Sequence, residues 1–251
     1  MKNILFHFLL ISSLYCIHID RKEDLEKCIA LANKSEFSAV GWVHTKNHCF
    51  TGTLIHPRVV VTSAHLLKNP EELRFNIYIF NKFFCVSGRA VIHPTYLTMK
   101  EENNLTEENL TSEVALIILD EPLYGVNYLK LPTHSQKETK AMYAIGFGKW
   151  NHQSSEYISQ SKLGCTVYIE HYTGLLMGAS SLNNKYFPLS GHPTNNEDFG
   201  CPLISADGNY TLQGIFKNHI IQKEDSYSFY IDLFPHVKWI ESTIKQSLQE
   251  K

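Results

Sequence analysis

The chain has 251 residues, 43% of them hydrophobic and 19% charged, with 23 basic against 25 acidic side chains for a formal net charge of −2. So even a balance, with no run of Lys or Arg, excludes the clustered basic footprint of a nucleic-acid or membrane-surface binder, and the composition excludes collagen, coiled coil and a disordered chain. At this length roughly 70–75% of the unfolded surface can be buried, so a self-sufficient core is expected.

Residues 1–16 open with the cation Lys2 and run through Ile4, Leu5, Phe6, Phe8, Leu9, Leu10 and Ile11 to Ser12 and Ser13. A basic start, a short apolar centre and a small-residue end form the pattern of a secretory signal peptide, with cleavage near Cys16 and Ile17, and the run is too short to span a bilayer. No later stretch has the length and apolarity of a membrane helix. The expected location is therefore secreted, extracellular. Asn33, Asn104, Asn109 and Asn209 each open an Asn-X-Ser/Thr acceptor for N-glycosylation. The pair at 104 and 109 sits in the polar stretch 100–112, which reads as an exposed loop.

Residues 17–35 form an N-terminal extension, and 36–251 the main domain. From Ser38 onward the period is that of short strands. Residues 53–55 and 59–62 flank the turn signal His56-Pro57-Arg58, and 75–80 are rich in strand formers. The continuous apolar run 114–119 suits a strand buried on both faces. Residues 142–148, 165–169, 203–205, 212–216 and 228–233 continue the pattern, broken by turns such as Asp207-Gly208. Only the end differs, where Val237, Ile240, Ile244 and Leu248 recur at three or four residues and predict an amphipathic helix. Many short strands closed by one helix predict an all-β barrel or sandwich.

Three segments carry a resemblance. Thr62-Ser63-Ala64-His65 follows a strand, Ser112-Glu113-Val114-Ala115-Leu116 comes next, and Glu197-Asp198-Phe199-Gly200-Cys201-Pro202-Leu203 last. In that order they resemble the signature segments of the chymotrypsin-like (trypsin-type) serine proteases, which place histidine, aspartate and serine in this chain order. Phe50 to Ile55, Gly146-Phe147-Gly148, Leu212 to Ile215 and the tail from Tyr230 to Ile244 resemble flanking pieces of the same family. The resemblance spans about residues 36–246. It implies two packed six-stranded antiparallel β-barrels with the site between them and a C-terminal α-helix.

Departures from the family pattern fall on the chemistry. The resemblance puts the nucleophile at Phe199, whose side chain has no atom that attacks a carbonyl. The aspartate position holds Glu113, and His65 remains. Together they read as a remnant triad, with the His65–Glu113 hydrogen bond kept as a relic. Glu197 stands at one oxyanion-hole position, where a carboxylate opposes the developing charge. Pro193 falls at the base of the specificity pocket, and Lys217-Asn218-His219 replaces the strand that pairs with substrate. No Ile-Val-Gly-Gly-like activation sequence lies between Ile17 and Ala39. Asp198, which that new amine would pair with, must then be solvated or paired otherwise.

Of six cysteines, Cys16 belongs to the leader, and the remaining five are an odd number. The resemblance implies a bridge between Cys28 and Cys165, and a second between Cys49 and Cys201 that leaves Cys85 over. Small buried thiols are the alternative for Cys49, Cys85 and Cys201. His44 and His48 follow no metal-ligand spacing and read as surface residues. The expected function is a secreted, inactive serine-protease homologue acting on an unknown protein partner as a binding or regulatory module, with no cofactor, metal or nucleic acid. Two alternatives remain open. One is an atypical hydrolase using His65 and Glu113 with a non-serine nucleophile such as Cys201, or with Ser205 in place of the lost serine; the other is a structural extracellular protein with an intermolecular disulfide.

Overall fold

The computed structural model of the chain describes residues 22–67, 70–102, 111–136, 140–147, 162–172, 176–180, 198–222 and 225–249. The expected signal peptide, Asn104, Asn109, Pro193 and Glu197 lie outside them.

Six strands close the first barrel: β1 (Val40–His44), β2 (Cys49–His56), β3 (Val59–Ser63), β4 (Arg74–Ile79), β5 (Lys82–Ile92) and β6 (Val114–Leu119), in the order β1-β2-β3-β6-β5-β4. β3 is β-branched through Val59, Val60, Val61 and Thr62, and pairs antiparallel with β6 from Val59↔Ile118 to Ser63↔Val114. Every residue of β6 is buried, as its unbroken apolar run predicts. Phe50, Leu54, Phe75, Leu116 and Ile117 belong to the core around this barrel and are completely shielded from solvent. Each such side chain contributes about 1.5–3 kcal/mol by leaving water.

A second barrel repeats the plan with β7 (Ala141–Gly146), β8 (Leu163–Tyr172), β9 (Leu176–Ser180), β10 (Pro202–Ser205), β11 (Leu212–Gln222) and β12 (Asp225–Asp232), ordered β10-β11-β12-β9-β8-β7. Met142, Val167, Met177, Leu203 and Tyr230 form its core. The Trp42 ring of β1 stacks on Phe147 just past β7 at 4.0 Å, joining the two barrels. The fold is thus the all-β double barrel implied by the resemblance, closed by the C-terminal helix.

Among the described residues, α-helices flank the barrels. α1 (Lys22–Ala32) packs on β8, with Cys28 and Ala32 buried, so much of the N-terminal extension is helical. α2 (Pro94–Glu102) enters the stretch read as an exposed loop. That reading needs correction at its far end too, where Thr111 and Ser112 are buried. α3 (Val237–Gln249) is the predicted helix, but of its predicted apolar positions only Ile240 is fully buried, Val237 and Ile244 are half-buried and Leu248 is exposed, while Thr243 and Ser247 are buried beside Ile240. Arg89 on β5 donates to Ser247 Oγ at 3.4 Å and ties α3 to the first barrel. Strands β1, β5 and β9 were not among the predicted elements. Among the described residues no helix is long and apolar enough to cross a membrane.

Candidate functional site

The site lies where the end of β3, the entry to β6 and the turn before β10 meet. β3 leads directly into Ala64-His65, and the Ala64 N–H donates to the Glu113 carbonyl at 3.2 Å, so the two segments are fixed side by side. From the other barrel comes the turn 198–200. Thr51 N–H on β2 donates to the Phe199 carbonyl at 3.0 Å, holding this turn against the first barrel. Gly200 has φ of +78°, and a Cβ there would come within 2.4 Å of both the Thr51 carbonyl and Thr62 Oγ1. Only glycine fits that contact in that left-handed conformation.

These constraints stack Phe199 on His65, ring centroids 5.0 Å apart and planes 21° from parallel. The Glu113 carboxylate is shared out differently from the expected relic. Ser63 Oγ donates to its Oε1 at 2.9 Å, and Lys217 Nζ donates to Oε2 at 2.7 Å. His65 Nδ1 stands 3.8 Å from Oε1, outside hydrogen-bond reach. The expected His65–Glu113 hydrogen bond is therefore not made; the two groups remain a longer ion-pair contact, while Ser63 and Lys217 are the closer partners of the carboxylate. Lys217 and Glu113 are both largely buried, whereas half of the His65 side chain is exposed. Sequence reading assigned Lys217 only to the altered substrate strand. A cation on a buried strand must find an acid, and that was the signal available for this pair.

Asp198 is buried and accepts a hydrogen bond from Cys201 Sγ at 3.4 Å. The same thiol is 3.3 Å from Thr51 Oγ1. Burial and the Asp198 charge push the Cys201 thiol well above its ordinary range, which removes the thiolate that a nucleophile needs. Ser205 Oγ donates to Asp207 Oδ1 at 2.8 Å and is buried in its own turn.

Neither bridge implied by the resemblance is formed, since Cys165 and Cys201 both carry free thiols. Cys201 faces Thr51, two residues along β2 from Cys49, whose Sγ lies 3.6 Å from His44 Nε2. Cys28 and Cys165 are both buried where α1 meets β8, and burial with the neighbouring Cys28 and Asp198 raises the Cys165 thiol. His44 is half-buried beside Trp42 rather than on the surface, and burial lowers its affinity for a proton. Among the described residues no group of three or more His, Cys, Asp or Glu is placed to hold a metal ion. Beside His65 a pocket of about 180 Å³ is lined by Thr45, His48, Leu66 and the ion pair of Lys46 with Glu71.

The Trypsin family pattern matches residues 30–240, most of the chain. The chain belongs to the trypsin family. Among relatives of this trypsin-family chain, human kallikrein-2 is 25% identical over 224 residues, covering 81% of each chain. In three dimensions it superposes on neuropsin, a serine protease expressed in the limbic system of mouse brain. That match has a TM-score of 0.63 at 17% identity, over 82% of this chain and 94% of neuropsin.

Proposed function

We propose that this trypsin-family chain is catalytically inactive and serves as a secreted protein-binding or regulatory module. The observation that carries the reading is Phe199 lying flat on His65, at the position the family resemblance assigns to the nucleophile. Acyl transfer needs an attacking oxygen or sulfur there, and a phenyl ring offers neither. The general base is compromised as well, because Glu113 is committed to Lys217 and Ser63 and cannot orient the imidazole as a triad acid does. On the same resemblance Glu197 falls in the oxyanion hole, where losing one donor costs about 10²–10³ in rate, and Pro193 falls in the specificity pocket.

Secretion is supported by the leader-like pattern of residues 1–16. Asn33 and Asn209 are both exposed, as glycosylation acceptors must be. With the reaction centre filled, the edges of the old cleft and the surface loops are what remains to contact a partner.

The test is hydrolysis by the purified secreted protein over a broad peptide and ester panel, with His65→Ala run beside it. Equal silence in both is the expected result. Turnover that disappears in His65→Ala would overturn the inactive reading in favour of a hydrolase with another nucleophile.

A further inference from the structure

The outer face of the β4–β5 hairpin carries aromatic side chains that stay largely exposed to solvent. Tyr78 on β4 pairs across the ladder with Phe83 on β5, their rings 5.3 Å apart on the solvent side. At the tip, Phe80 and Asn81 have φ of +48° and +60°, the primed-turn conformation that favours Asn and Gly. A phenylalanine is held there in a backbone region that side chains with a Cβ disfavour. Its ring packs beside Gly125, the neighbour of Tyr124.

Tyr78, Phe80, Phe83 and Tyr124 are 67%, 84%, 55% and 70% exposed. At about 200 Å² for a fully exposed aromatic side chain these rings alone present roughly 550 Å² of surface. That is near the upper limit of the largest apolar patch on a monomer, and most of the ~800 Å² that each partner contributes to a standard interface.

We propose that this face is a self-association surface, on which two copies of the chain pack about a twofold axis through Cys85. The layout of the face is self-complementary. Along the ladder the successive outward pairs are Tyr78↔Phe83, Asn76↔Cys85 and Arg74↔Ser87. Cys85, an exposed thiol, thus sits midway between an aromatic pair and an exposed cation. A twofold axis at Cys85 running across the strands lays the Tyr78 ring of each copy over Arg74 of the other, a cation–π arrangement, with Phe83 over Ser87 beside it. The same axis brings the two Cys85 thiols together.

In an oxidising compartment the pair closes by exchange with a disulfide-form oxidant such as glutathione disulfide. The first Cys85 thiolate attacks one sulfur of the oxidant and expels a glutathione thiolate. The second attacks the mixed disulfide and expels the other, so one intersubunit S–S bond forms as the oxidant is reduced to two thiols. Self-association does not depend on whether the chain is an enzyme, so its failure and that of the inactive reading are separately visible.

The test is sedimentation equilibrium of the secreted protein, with non-reducing electrophoresis, on wild type, Cys85→Ser, Phe83→Ser and Arg74→Glu, each checked for a native circular dichroism spectrum. Wild type should be a covalent dimer that reduction releases into reversible association. Cys85→Ser should remain a reversible dimer. Phe83→Ser and Arg74→Glu should weaken that dimer by about tenfold or more. A monomeric wild type whose Cys85 alkylates to completion overturns the proposal. So does a covalent dimer that persists in Cys85→Ser, or a monomer that binds phosphatidylcholine vesicles through this face.

Discussion

Lys217 and Glu113 are joined across the barrel interface by a 2.7 Å ion pair in which both side chains are largely buried. A strand of the second barrel thereby neutralises a carboxylate of the first, at the position the resemblance assigns to the triad acid. A buried pair of this kind adds little over an apolar pair of the same shape, but removing one member leaves an uncompensated charge. Lys217→Met should therefore destabilise the fold by about 3–5 kcal/mol, and Lys217→Met with Glu113→Gln by markedly less. Urea denaturation of the two variants beside wild type measures both, and equal losses would refute the pairing.

Gly146 and Cys201 compete for one volume. A Cβ at Gly146 would lie 2.1 Å from Cys201 Sγ, deep in the core of the second barrel. Gly146→Ala should cost about 1–3 kcal/mol through overpacking. Cys201→Ala introduced into the same chain should restore much of it, giving a coupling of the kind double-mutant cycles detect between touching residues. A strictly additive thermal-denaturation cycle would contradict this contact.

Stability should fall on mild acidification. His93 at the end of β5 lies edge-on to His236, ring centroids 5.0 Å apart, and to Trp239 of α3 at 4.7 Å. Burial, with the charge of His236 beside it, holds His93 down at about 4, and burial lowers His236 as well, although its bond to the Thr111 backbone opposes that shift. Both imidazoles take up protons more readily in the unfolded chain, near pH 6.5. Their contribution is complete above that pH and is lost as pH falls toward 4. The melting temperature should decline across this window, and His93→Phe should flatten the decline. An unchanged slope in the variant would assign the acid sensitivity to other groups.

Residues whose burial shows as an unbroken apolar run were legible in the sequence, β3 and β6 above all. β5 was not, because Lys82 to Ile92 mixes exposed and half-buried positions and buries none of its residues fully. α1 was missed although Lys22 to Ala32 contains mostly good helix formers with Leu25, Cys28, Ile29 and Ala32 at helical spacing. At the site, the order of His65, Glu113 and Phe199 sufficed to bring these three residues together. Lys217 is 104 residues from Glu113 in sequence, and no local pattern marks a partner across a barrel interface. Cys28 and Cys165 do lie side by side where α1 meets β8, whereas Cys201 faces Thr51. A displacement of two residues along β2 decides whether Cys201 meets a thiol or Thr51.

The most direct measurement is labelling of Phe199→Ser by a fluorophosphonate, beside wild type and a double variant that adds His65→Ala. Inactivity arising from the whole site predicts no labelling in any of the three, because Glu113 stays bound to Lys217 and Ser63 after the single change. Labelling of wild type that His65→Ala abolishes would contradict the central claim outright. Labelling of Phe199→Ser alone would show that the loss of activity rests on one side chain and that the rearranged carboxylate is no barrier to chemistry.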